Sequence, residues 1–346
     1  MDSRQVRFSG HEKGPARTWW PEAGDVLKAA GRCAGDPEPV LRQLRAGRMP
    51  PPLPGNGETK ALWEFLATVA SVDLAAARAV EPHFDAAAIL AQAGVPWALG
   101  TVWGVYAAES GDTRLAASPG DGGTWLLDGD KPWCSLAGQV DRAVVTAHVP
   151  DGRRAFATDL RHDGVAVRPG AWGAHGLRGV PSGPVGFDSV PAEPLGDTGW
   201  YLRRAGFAWG GIGVAACWFG GSVGLYRTLL AASGRRAPDQ LATAWLGEAD
   251  RLLASGAAVL EQAARAVDGG RAGWPEAHRA RGHIAAVSAR MLAICGEALG
   301  PAPLAFDAEH ARRVADLTLY TRQHHGARDD AALGSLVLGG EGPGAW

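Results

Sequence analysis

TWLLDGDKPWCSLAGQVDRAVV, residues 124–145, is the stretch on which the reading of this chain turns. Trp125, Leu126 and Leu127 are apolar, and Asp128-Gly129 has the form of a two-residue hairpin turn. Such turns favour positive φ at their central positions, which Gly adopts freely. Lys131-Pro132-Trp133-Cys134-Ser135 follows on the return side. After a short Gly-containing loop, residues 142–149 (RAVVTAHV) form a β-branched run of ordinary strand length. The stretch therefore predicts a strand-rich unit that displays a Trp and a hydroxyl just after a turn.

Further strand-like runs lie on both sides, at residues 103–108, 154–160, 165–168 and 184–190, separated by Gly, Pro and Asp. That spacing predicts a small β-barrel or sandwich. Helical patterns flank it. A short helix near residues 37–46 is ended by the Pro50-to-Gly57 breaker cluster. Leu62, Phe65, Leu66 and Val69 then mark one face of an amphipathic helix. A second helix covers residues 72–94, with Pro82 expected to kink or restart it. Beyond residue 200, helical patterns cover 203–232, 239–267, 274–299 and 307–338, the last interrupted near Gly326. Antiparallel helices of this length form a bundle.

The order and spacing of several short segments resemble the acyl-CoA dehydrogenases. Residues 127–147 (LDGDKPWCSLAGQVDRAVVTA) are similar to that family's L-x-G-x-K-x-W-I-T/S-N, its Ala-Asp pair and the strand that follows. Gly176-Leu177-Arg178-Gly179 resembles G-L-R-G-S, and residues 183–199 resemble F-x-x-V-x-V-P and L-G-x-x-G. The resemblance covers residues 100–225 best. It implies an α+β fold in three parts. These are an N-terminal helical domain (residues 1–98), a middle β domain (99–199) and a C-terminal four-helix bundle (200–346).

The resemblance also implies roles, residue by residue. Trp133 and Ser135 would lie beside the isoalloxazine ring of FAD, with the hydroxyl near N5. A flat apolar wall suits an aromatic ring, and a hydroxyl can donate or accept. Glu109 and Ser110 fall where the family has T-E-P-x-x-G-S, although the Thr is Ala108 and the Pro is missing. The R-x-x-F-G segment that reaches a neighbour's FAD lacks its Phe-Gly. Arg227, Arg235 and Arg236 remain as cations able to meet a pyrophosphate. The catalytic base, a desolvated carboxylate above the substrate α-carbon, would be Asp307, with Glu309 as the second candidate. Asp307 is equally suited to capping the helix that follows. His324 or His325 could stand where flavin monooxygenases of this fold place a His. Two adjacent histidines cannot share one helical face, so a metal site there is not expected.

Composition narrows the classes. The chain has 346 residues, 46 % hydrophobic and 20 % charged, with net charge −2. That describes an ordinary globular protein without the basic face of a nucleic-acid binder. Cys33, Cys134, Cys217 and Cys295 show no metal-ligand spacing and read as reduced thiols of a cytoplasmic protein. The N-terminus lacks an apolar signal core, and no membrane span is expected. The leading expectation is an FAD-dependent dehydrogenase that introduces a Cα–Cβ double bond into an acyl-CoA or other acyl thioester. Family resemblance adds a homodimer or homotetramer and an electron-transferring flavoprotein as electron acceptor. Two other readings stay open: a flavin-dependent monooxygenase of the same fold, and a non-catalytic subunit of a heteromeric acyl-CoA dehydrogenase.

Overall fold

The computed structural model describes residues 5–9, 20–111, 113–168, 172–234 and 239–341. Four helices come first: α1 (Ala23–Ala30), α2 (Glu38–Arg45), α3 (Thr59–Val72) and α4 (Leu74–Gln92). The amphipathic pattern from Thr59 onward becomes α3. It is buried on nearly every side because α6, the long helix described below, packs across it. Asp73 separates α3 from α4 and caps α4, its side chain accepting from the Ala76 N–H at 2.9 Å. Pro82 lies inside α4 without ending it, so the carbonyl four residues back, on Arg78, loses its intrahelical donor.

Among the described residues, seven strands follow. They are β1 (Trp103–Tyr106), β2 (Leu115–Pro119), β3 (Trp125–Lys131), β4 (Arg142–Val149), β5 (Gly152–Asp159), β6 (Val165–Val167) and β7 (Val185–Leu195). β2 pairs with β3, β3 with β7, β7 with β5, β5 with β4, and β4 with β2, so the pairings return to their start. β1 runs parallel to β4, and β6 pairs with β7. Leu127, Val145, Phe156 and Val190 meet in the core this arrangement encloses.

One local expectation is corrected here. Asp128-Gly129 is not a hairpin turn. β3 runs straight through it, and the register against β7 slips between Leu127 and Gly129, which is a β-bulge. The glycine is needed for a different reason. Gly129 sits at φ +111°, and a Cβ there would stand 2.2 Å from the Arg114 carbonyl oxygen. The bulge turns Asp128 outward, where its carboxylate accepts from the Ser189 N–H at 2.8 Å.

The described residues beyond the strands are mainly helical: α5 (Trp200–Arg203), α6 (Ala205–Ser233), α7 (Gln240–Asp268), α8 (Trp274–Leu299), α9 (Ala302–Phe306), α10 (Ala308–Tyr320) and α11 (Ala327–Leu336). α6 runs against α3, α7, α8 and α10. By length and composition alone, α6 is long and apolar enough to cross a membrane. It is the one such helix among the described residues, and 72 % of the relevant window is buried inside the protein. A buried core helix satisfies the same length and composition. The main hydrophobic cluster draws on α1–α4, the strands, α6–α8 and α10 alike.

Candidate active site

A cavity of about 560 Å³ opens where α4, β1, the loop after β3 and the end of α10 converge. That is within the size range of small-molecule sites. The β1 wall is Trp103 to Glu109, and the loop wall is Trp133, Ser135 and Leu136. Arg78, Glu81 and Asp85 enter from α4, and Tyr320, Gln323 and His325 from the far side.

Trp133 is the exposed aromatic of this wall, at 59 %. It sits at φ +59°, in the left-handed region that a bulky residue rarely occupies. Leu136 (φ +59°) and Leu177 (φ +51°) line the same cavity in the same region. Strained backbone of this kind persists where the surroundings over-determine it, and it clusters at functional sites.

The surroundings can be named. The Leu136 N–H donates to the Pro181 carbonyl at 2.8 Å, and the Tyr106 hydroxyl to the Ser135 carbonyl at 2.9 Å. The Leu177 N–H donates to the Asp316 carboxylate at 2.5 Å. Around it the glycines of the G-L-R-G segment are packed against backbone. A Cβ on Gly176 would stand 2.2 Å from the Ala315 carbonyl oxygen, and one on Gly179 would stand 2.1 Å from that of Gly35. These motif residues therefore hold the cavity wall in place.

Lys131 and Asp141, both in the stretch that opened the reading, do the same. Lys131 is 1 % exposed, and its ammonium lies 2.7 Å from Glu109 and 2.9 Å from the Thr146 hydroxyl. Burial pulls the Lys131 pKa down, against the opposing pull of Glu109. Asp141 accepts from the Val102 N–H at 2.8 Å and from Arg45 at 3.0 Å, tying the starts of β1 and β4 to α2.

The sequence-nominated residues separate into groups. Trp133, Ser135 and Glu109 line the cavity together. Glu109 is not free, because His148 and Arg153 each stand 3.2 Å from it in addition to Lys131. Burial raises its carboxyl pKa, but these partners outweigh burial and the net shift is downward. Ser110 lies outside the cavity lining and forms an isolated bridge with Thr113. Arg227, Asp307 and Glu309 line a different, open hollow of about 1060 Å³ beside α1 and α6. There Asp307 is exposed and caps α10, accepting from the N–H groups of Glu309 (3.1 Å) and His310 (3.0 Å). Glu309 is also exposed and pairs with Arg313 at 3.0 Å. The desolvation expected of a catalytic carboxylate is thus missing at both, because the turn after α9 faces solvent. Arg235 and Arg236 lie outside the described residues. His325 reaches the cavity with its ring 3.3 Å from Asp329, while His324 faces the neighbouring groove. Among the described residues, no group of three His, Cys, Asp or Glu side chains could hold a metal ion.

The residues that sequence reasoning missed are on α4. Glu81 is 7 % exposed, and burial pushes its carboxyl pKa up to about 7, against the pull of Arg78 at 3.2 Å. Asp85, one turn on, is also shifted upward by burial, with Arg204 3.7 Å away opposing. Arg78 donates to the Ser135 hydroxyl at 2.9 Å, and its guanidinium lies 5.1 Å from the Tyr320 ring centre. A signal was available: Arg78, Glu81 and Asp85 are charges at helical spacing in an alanine-rich, otherwise buried helix. Charges are rarely buried there unless paired.

No family model matches the chain, and no curated protein matches it in sequence. Solved structures do. KijD3, solved with FMN and dTDP-3-amino-2,3,6-trideoxy-4-keto-3-methyl-D-glucose, superposes with TM-score 0.78 at 17 % identity, over 99 % of this chain and 98 % of that one. TdsC from Paenibacillus sp. A11-2, solved with FMN and indole, gives TM-score 0.76 at 18 % identity over 92 % and 96 % of the two chains. Butyryl-CoA dehydrogenase from Megasphaera elsdenii gives 0.78 at 15 % over 95 % and 100 %. At such identities the likeness concerns architecture: this chain has the acyl-CoA dehydrogenase fold.

Proposed function

We propose that the chain is a flavin-dependent oxidoreductase whose cavity takes the isoalloxazine ring beside Trp133, and that it oxygenates a small organic substrate. The observation that carries the flavin reading is Trp133 itself. Its large aromatic surface is open to the cavity, on strained backbone that the neighbouring hydrogen bonds maintain. The donor set fits a flavin, with a flat aromatic wall, a Ser135 hydroxyl and an Arg78 guanidinium on one rim. FMN is supported by its presence in the KijD3 and TdsC complexes. FAD would have to extend towards cations such as Arg227, which line the other hollow.

Oxygenation is favoured over desaturation because the carboxylates that the resemblance nominates as base stand outside the cavity. Asp307 and Glu309 are outside the cavity, and Glu109 is held by Lys131, Arg153 and the His148 ring. TdsC, a structural neighbour, is described as dibenzothiophene monooxygenase. Reduced flavin would supply two electrons, so that one atom of O2 enters the substrate and the other leaves as water. This chain's own residues would position the ring (Trp133, Ser135), exclude water (Trp103, Tyr106, Leu177) and hold a proton (Glu81).

One observation favours desaturation as a second reading. Glu81 has the raised pKa an α-proton base needs, and only under that reading would an acyl thioester and an electron-transferring flavoprotein be required.

The test is direct. Wild-type protein should bind FMN or FAD and Trp133→Ala should bind it on the order of tenfold more weakly, the loss of one aromatic face. Oxygen consumption with chemically reduced flavin and candidate substrates supports oxygenation. Anaerobic bleaching by acyl-CoA supports desaturation instead. Protein that takes up no flavin in any form ends both readings.

A further inference from the structure

Two carboxylates of α4 stand between two spaces. On one side lies the cavity already described. On the other is a cleft of about 30 Å³, bordered by Pro54, Trp63, Trp209 and Gly213. Glu81 and Asp85 line both. They are four residues apart on one helix, so their side chains are neighbours on one face. Pro54 and Trp209 are half-buried, so the cleft opens to the surface between them. Exposure falls along the pair, from 18 % at the Asp85 side chain to 8 % at that of Glu81.

The cleft suits water. Its volume holds about two waters, each of which needs about two to four polar partners. The two carboxylates can accept, and the indole N–H of buried Trp63 can donate. Glu81 is faced by Arg78 and Asp85 on its own helix, by Cys217 on α6 and Arg281 on α8, and by Tyr201 and Tyr320. Asp85 is faced by Tyr201 and by Arg204, 3.7 Å away. Gly210 leaves room for Asp85, because a Cβ there would stand 2.8 Å from its carboxylate oxygen. Burial raises the pKa of both carboxyl groups, that of Glu81 to about 7, against the pull of Arg78 and Arg204. A carboxyl group in that range takes up and releases a proton at neutral pH.

We propose that Asp85 and Glu81 form a proton relay that joins the cavity to solvent through this cleft, so that protons and the organic substrate use different entrances. The inference rests on the flavin reading above and applies to either reaction. Oxygenation combines the substrate, O2, the reduced flavin anion and one proton to give oxygenated substrate, oxidised flavin and water. That proton moves inward. Desaturation releases one proton from the α-carbon, and that proton moves outward. In both, ring and substrate fill the mouth of the cavity while the proton travels. Glu81 exchanges the proton with the reacting groups, and Asp85 is a positioning residue that acts through Glu81.

The experiment uses the full chain loaded with FMN, or with FAD if that is the form it takes up. The bound flavin is reduced anaerobically with dithionite and mixed with O2 in a stopped-flow instrument. Without substrate, the reduced anion, O2 and one proton give oxidised flavin and hydrogen peroxide, so a proton must still enter. Flavin absorbance follows the reaction, and a pH indicator follows the proton. Asp85→Asn keeps the shape of the side chain and removes its titrating group. Gly213→Ala leaves both carboxylates in place and sets a methyl in the cleft at ordinary contact distance, 3.5 Å from the Trp63 indole nitrogen and 3.8 Å from Leu66. Each variant should keep its flavin affinity and slow reoxidation about 100-fold, the low end of what a positioned proton-transfer group contributes. Added formate, a small acid that can enter the cavity directly, should restore the rate in both. An unchanged rate in either folded, flavin-binding variant would overturn the relay and leave the flavin reading standing. So would a loss that formate does not restore, which marks a structural role. A chain that takes up neither flavin overturns both.

Discussion

Asp316 offers the sharpest test of how the cavity wall is held. Its carboxylate is 3 % exposed on α10 and accepts the Leu177 N–H at 2.5 Å. Burial pushes its pKa from 3.8 up to about 6, partly offset by that N–H, with nearby Asp73 adding to the rise. An acid whose folded pKa is raised binds protons more tightly in the folded state. Stability from this group is therefore fully present below the unfolded pKa near 3.8, and it is lost as pH rises through about 6. At 1.36 kcal/mol per unit, the loss is about 3 kcal/mol. Asp316→Asn removes the charge but keeps a carbonyl acceptor for Leu177. Urea unfolding of both proteins from pH 4 to pH 8 should show the variant gaining on wild type by about that amount, most of it between pH 4 and pH 6. Parallel pH profiles for the two proteins would refute the reasoning. Asp316→Ala, in contrast, leaves a buried N–H without its acceptor and should be about 1–3 kcal/mol less stable than Asp316→Asn at every pH.

Two further outcomes follow from geometry already described. Gly129→Ala places a Cβ against the Arg114 carbonyl at φ +111°, so chemical denaturation should show a loss well beyond the ~1 kcal/mol of an ordinary Gly-to-Ala change in a strained position. Asp307→Ala should cost about 1 kcal/mol in thermal unfolding through loss of the α10 cap, while Asp307→Asn keeps it. An Asn variant that binds flavin normally yet loses turnover would return the role of base to that carboxylate.

Much of the architecture was legible because it depends on periodicity. The i, i+3, i+4, i+7 face from Leu62 became α3, and the β-branched run at 142–149 became β4 with the same bounds. β2 was not visible, because Leu-Ala-Ala-Ser-Pro has little β-branched character and is held mainly by its partner β3. The Asp-Gly pair misled because the same glycine freedom serves a hairpin turn and a bulge, and only the partner strand decides. For the candidate site, the loop that puts Trp133 and Ser135 in the cavity wall could be read from a contiguous segment. Glu81 and Arg78 could not, because their place in the cavity wall comes from burial against residues far along the chain, such as Ser135 and Tyr320. Asp307 has the composition of a base and the surroundings of a cap; exposure separates the two, and it is not written in the local sequence.

The junction at Gly176–Gly179 has a consequence for how the chain comes into being. Leu177 must find Asp316, 139 residues later, and Gly179 must seat against Gly35, far earlier. On a ribosome the strands and the first helices emerge long before α10 exists. The loop that shapes one side of the cavity then has no acceptor for its backbone and no helix to rest on. Contacts of such separation are slow to form, because loop closure must precede the stabilisation they bring. The cavity is therefore among the last features to assemble, and a chain truncated before residue 316 would carry every strand and still lack a finished wall.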